Sequence, residues 1–133
     1  MPTLRTLLPA ALCAAALASG CGADDERDVR DTLERYATAV ERQDYQALCD
    51  ELLSDQLVEN LREVGYPCEI ALQRGFADVE KPSISVRRVK IDGNTASAVA
   101  RTDAANQEPS EDTIRLAKED GRWKIFDLSS APA

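Results

Sequence analysis

The sequence predicts an α+β domain, with N-terminal helices packed on a curved antiparallel sheet of four strands. Three observations predict it. Between residues 29 and 72 the apolar positions recur at helical spacing, whereas after Lys81-Pro82 they alternate. Two glycine-containing turns, Asp92-Gly93 and Glu119-Asp120-Gly121, then divide the alternating part into hairpins. Helices followed by a meander place the helices on one face of the sheet.

The chain begins with a weakly basic segment, Met1 to Arg5, and an apolar run from Thr6 to Leu17. That run has the length of a signal-peptide core and falls short of the roughly twenty residues that cross a bilayer. Residues 1–20 therefore read as a leader that is removed. Residues 21–28, rich in Asp and Glu, read as a short polar tether, and residues 29–130 as one domain.

Within the domain, Val29, Leu33, Tyr36, Ala37 and Val40 form one helical stripe, with charged residues on the other faces. Asp44 caps a second short helix carrying Tyr45, Leu48, Cys49 and Leu52. Ser54 caps a third piece through Leu57, Val58, Leu61 and Val64, which ends at Gly65. Pro67 suits the first turn of a fourth piece that stops near Gly75. In the first strand Ile84 and Val86 face one way, and Val89 and Ile91 resume one residue out of phase. Arg87-Arg88 is therefore read as a β-bulge that bends the strand. A second strand spans Asn94 to Thr102. Asp103 to Glu111, polar and containing Pro109, is read as a loop. Thr113 to Lys118 and Arg122 to Leu128 complete the meander.

Composition limits function. The net charge is −8, and the leader holds only Arg5, so the remainder carries 15 Lys and Arg (16 less Arg5) against 24 Asp and Glu, or −9. A surface of that sign repels phosphate backbones, and nucleic acid is not an expected partner. There is no histidine, and of four cysteines Cys13 falls in the leader and Cys21 at its end. Cys49 and Cys68 remain, an even pair that an oxidising compartment joins as a disulfide. The competing reading is two free buried thiols. A metal site is not expected, since two cysteines leave a zinc centre incomplete, and no cofactor is expected.

Leu17-Ala18-Ser19-Gly20-Cys21 resembles the lipobox of bacterial lipoproteins, with Ala18 where leucine is more usual. The resemblance implies that Cys21 is lipidated and holds the protein at the extracytoplasmic face of a membrane. The alternative is plain secretion, because Ala16-Leu17-Ala18 also fits the general signal peptidase. The helix through Val29 to Leu48, the break at Asp44, Tyr45-x-x-Leu48-Cys49, the second cysteine Cys68 and the closing Glu119-Asp120-Gly121-Arg122-Trp123-Lys124-Ile125 hairpin together resemble the nuclear transport factor 2-like, SnoaL-like domains of the cystatin-like superfamily. That resemblance implies a cone-like fold whose sheet and helices enclose a pocket, in some relatives the active site of an isomerase or dehydratase.

Tyr36, Tyr45 and Trp123 are the candidate pocket residues. No catalytic constellation is visible. Tyr36, Tyr45 or Tyr66 with Asp44 or Asp127 could form a proton-transfer pair, but Asp44 reads more simply as a helix cap, Asp127 as a solvated strand residue and Trp123 as a core filler. The expected function is a non-catalytic module that binds a small hydrophobic ligand or an envelope protein. The alternatives are a pocket enzyme of the isomerase or dehydratase type, using a carboxylate and a tyrosine, and a structural module that forms homodimers.

Overall fold

The computed structural model describes residues 21–130, so the predicted leader lies outside the described residues. Four helices precede a four-stranded antiparallel sheet of order β1-β2-β3-β4, as the sequence predicts. The first helix, α1 (Cys21–Glu41), buries Val29, Leu33, Tyr36 and Val40 along one stripe. It starts earlier than expected: residues 21–28 are its first two turns and not a tether. The polar composition concealed this, because the acidic residues there serve the helix. Asp24 pairs with Arg27 and Glu26 with Arg30 one turn on, and acidic side chains suit a helix N-terminus.

At its other end α1 closes with Gln43 in the left-handed region, φ 57°. Gln43 N–H bonds to Val40 O and Asp44 N–H to Ala39 O, which satisfies carbonyls left over by the last turn. Helix α2 (Tyr45–Ala47), capped by Asp44, runs directly into a π-helical stretch, Leu48–Leu52, that buries Leu48, Cys49 and Leu52. Ser54 caps α3 (Asp55–Glu63) through its hydroxyl, which accepts from Leu57 N–H at 3.1 Å. Helix α4 (Cys68–Gly75) follows Pro67, and Cys49 and Cys68 are bonded, with Cα atoms 6.1 Å apart. The bridge staples the π-helical stretch to α4.

The strands are β1 (Ser83–Asp92), β2 (Thr95–Ala104), β3 (Gln107–Glu119) and β4 (Arg122–Ser130). Each strand pair contains one register shift: at Val86/Arg88, where the bulge was expected, at Thr102/Ala104 and at Arg115/Leu116. Bulges bend strands and increase twist, and these three curl the sheet around the helices. Asp120 and Gly121, φ 49° and 76°, make the left-handed pair of a two-residue hairpin. Leu53 pairs in parallel with Ile125, and Ser54 N–H bonds to Ile125 O at 2.8 Å, which covers the β4 edge.

Residues 103–111 are not the loop that their composition suggested. Strand β2 continues to Ala104, a turn at Ala105-Asn106 follows, and β3 begins at Gln107. Pro109 is tolerated because it sits beside the Thr102/Ala104 register shift and beyond Ser130, the last β4 residue paired with β3. Asn106 ties this tip to the segment after α4: its side-chain amide donates to Asp78 O, and its Oδ1 accepts from Glu80 N–H.

Candidate functional site

Alternation along β2 and β3 assigns one face of the sheet to the helices. On it lie Ala96, Ala98 and Ala100 of β2, opposite Leu116, Ile114 and Asp112 of β3. The first five are buried in the core against α1 and the π-helical stretch. Farther along the same face the residue type changes. Thr102 pairs with Ser110, next to Asp112, so the inward positions become hydroxyls and a carboxylate toward the Ala105-Asn106 tip.

There a cavity of about 290 Å³ opens between the inner face, α1 and the segment after α4. Its apolar wall comes from Val40, Phe76, Val79, Ile84, Ile114 and Leu128. Its polar wall is a connected cluster. Thr102 and Ser110 both donate to Asp112 Oδ2, at 2.5 and 2.8 Å, and their own oxygens lie 2.7 Å apart. Asp112 Oδ1 is sealed from solvent with no hydrogen-bond donor on it among the described residues. An unpaired buried carboxylate oxygen is costly, and such atoms concentrate where a protein receives a ligand or does chemistry.

Tyr36 projects from α1 into this cavity and is 5% exposed. Burial pushes its phenol up to about 12, so at neutral pH it is a neutral hydroxyl. Tyr45 lies in an adjoining groove with Glu41, Gln43 and Lys81, which shares Val40, Phe76, Val79, Pro82 and Ser83 with the cavity. Two of the three candidate pocket residues are thus brought together in neighbouring spaces.

Trp123 is not. It is buried in the core, and the cavity wall does not include it. It packs at the opposite end of α1, where its indole N–H donates to Asp25 Oδ1 at 3.3 Å. Lys118 Nζ donates to the same oxygen at 2.5 Å and stands 5.3 Å from the Trp123 ring centre. The hydrogen bond from Lys118 holds the Asp25 carboxyl below the usual carboxylate range, against a smaller opposing effect of burial. Trp123 is therefore a clamp for the start of α1, in keeping with the core-filler reading.

The carboxylates first considered for proton transfer have other partners. Asp44 Oδ1 accepts from Ala47 N–H as a cap, and Asp127 pairs with Arg115. Tyr66, exposed, stacks under Arg74 at 4.1 Å. Sequence reasoning missed Asp112, Thr102 and Ser110. A signal existed: counting back by twos from Leu116 and Ile114 reaches Asp112 and Ser110, polar residues at inward positions. Ending the strand at Thr113 hid it. Among the described residues no group of three or more Cys, Asp or Glu could hold a metal ion, and no helix is long and apolar enough to cross a membrane.

No family model matches the chain, and no curated protein matches it. Solved structures do. A nuclear transport factor 2-like protein of unknown function from Shewanella baltica superposes with a TM-score of 0.60 at 18% identity, over 84% of this chain and 97% of that one. A second such protein, from Silicibacter pomeroyi, gives 0.59 at 15% identity over 80% and 94%. A de novo designed protein of the same fold gives 0.52 at 19% identity over 76% and 83%. At such identities the likeness shows the fold alone: the chain has the cone-shaped nuclear transport factor 2-like fold, and the cavity lies between its sheet and helices.

Proposed function

We propose that this is a SnoaL-like lipoprotein domain, anchored through Cys21 at the extracytoplasmic face of a membrane, whose cone cavity binds a small molecule without turning it over. The observation that carries the binding reading is the composition of the cavity: a continuous apolar wall facing a compact hydrogen-bonding cluster at Thr102, Ser110 and Asp112. Pockets of that kind bury a ligand's apolar body and orient it by a few polar contacts. The anchor reading rests on the lipobox-like Leu17-Ala18-Ser19-Gly20-Cys21.

Helix α1 begins at Cys21, so a lipid there leaves no slack between anchor and domain. Tyr36 lies fifteen positions after Cys21 along α1, a rise of about 22 Å at 1.5 Å per residue. The cavity then stands away from the bilayer and draws its ligand from the aqueous side.

Intact mass spectrometry of the membrane fraction tests both halves. Under denaturing conditions the mature chain should begin at a diacylglyceryl-modified Cys21, and an unmodified terminus at Ser19 would remove the anchor. Under native conditions the protein should carry a small-molecule adduct that Leu128→Trp, which fills the mouth of the cavity, abolishes. Native spectra without any adduct count against the binding reading.

A second reading has one observation in its favour. Tyr36 and Asp112 line the same cavity, a proton donor and a carboxylate as an isomerase or dehydratase needs. Here Asp112 would take a proton from carbon while the Tyr36 hydroxyl stabilises the developing oxyanion. Turnover of an enolisable ketone that is lost in both Asp112→Asn and Tyr36→Phe would favour this enzyme reading over simple binding.

A further inference from the structure

The polar wall of the cavity has a sign. Asp112, Asp103 and Glu108 line it, and no Lys or Arg does. Asp103 is offset by Arg101, whose guanidinium donates to both of its oxygens at 3.0 and 3.4 Å. Among the described residues Asp112 has no such partner: its bonds come from two neutral hydroxyls, and Oδ1 has none. Glu108 adds a second carboxylate at the exposed rim. Lys81 belongs to the adjoining groove.

An anionic ligand in this cavity would lose its hydration and face Asp112 and Glu108 with no cation on the wall to offset them. A neutral alcohol could supply one donor. An ammonium group supplies three donors and the missing charge. Asp112 lines the cavity, so such a donor meets its carboxylate there.

We propose, building on the small-molecule binding reading above, that the cavity selects small amphiphilic amines. In this arrangement the ammonium group meets Asp112 below Thr102 and Ser110, with Glu108 drawing it in at the rim. The apolar body lies against Phe76, Ile84 and Leu128. At about 30 Å³ per water the cavity has room for roughly ten water-sized groups, which suits one aromatic ring with a short arm.

The test uses three probes of one skeleton, phenylpropylamine, phenylpropanol and phenylpropionate, titrated calorimetrically. The full chain is held in phosphatidylcholine nanodiscs, with empty nanodiscs as the blank. The amine should bind about tenfold to a hundredfold more tightly than the alcohol, as charge-assisted hydrogen bonds do, and the acid should not bind measurably. Asp112→Asn should remove most of the amine's advantage over the alcohol. Equal binding of amine and alcohol, stronger binding of the acid, or an amine affinity indifferent to Asp112→Asn overturns the amine preference while the cavity remains a binding site. If none of the three binds, the binding reading falls as well. The ranking on the unaltered chain decides the matter even if Asp112→Asn does not fold.

Discussion

Tyr36 shows how one position serves both packing and the site. The helical stripe made it legible as an inward residue, but only the sheet across from it makes a cavity there. Its phenol, raised to about 12, implies a specific pH dependence. The unfolded chain loses this proton from about pH 10 and the folded chain does not, so stability is fully present below pH 10 and falls as pH rises toward 12. The total is roughly 2–3 kcal/mol for a two-unit shift. Urea unfolding between pH 10 and 12 should show this loss in the parent and a flatter profile in Tyr36→Phe. Asp25 predicts the opposite limb. Its carboxyl is held below 3.8 by Lys118, so its contribution is present above that value and disappears as pH falls through the lower folded value. Asp25→Asn should therefore melt below the parent at neutral pH, with the two melting temperatures converging in acid. Asp112 was legible as an inward position only by carrying the alternation of Leu116 and Ile114 back past Thr113, and among 24 acidic residues its place in a cavity shows only once the sheet has formed.

Among the elements, those set by short-range chemistry were readable. Ser54 was recognised as a cap from its position before an apolar stripe, and it does cap α3 while its own N–H joins β4. Ser54→Ala should cost about 1–2 kcal/mol in chemical denaturation, since the half-buried Leu57 amide loses its acceptor. The disulfide was expected from an even pair of cysteines in a chain read as exported, and it crosslinks residues 19 apart. Reducing it, or replacing both cysteines by serine, should cost about 3 kcal/mol on the chain-entropy model, measured by urea unfolding with and without reductant. Elements whose register depends on distant partners were misread. The first two turns of α1 look like a tether until Lys118 and Trp123 hold Asp25. The 103–111 segment looks like a loop until β2 and β3 pair across the Ala105-Asn106 turn. Pairing satisfies backbone groups whatever the side chains, so polar composition is a weak guide there.

For the whole molecule, the ends of the cone differ. The Asp92-Gly93 and Asp120-Gly121 hairpins lie together, linked by the bond from Lys118 N–H to Asn94 O, beside the start of α1. The cavity and the Asn106 tip occupy the other end. If Cys21 carries lipid, a nitroxide-labelled lipid in the bilayer should broaden the amide resonances of Gly93 and Gly121 and spare Asn106. Equal broadening at both ends would mean that the domain swings freely on its anchor. By itself the sequence determined the order of helices and strands, the caps, the two glycine turns, the cysteine pair and the acidic charge. All of these follow from a residue's neighbours or from counting. Only the tertiary structure decided that α1 reaches back to Cys21, that Trp123 clamps that end, and that Thr102, Ser110 and Asp112 share a cavity with Tyr36. Those facts depend on contacts between residues up to about a hundred positions apart, and such contacts exist only once the bulged sheet has curled around the helices.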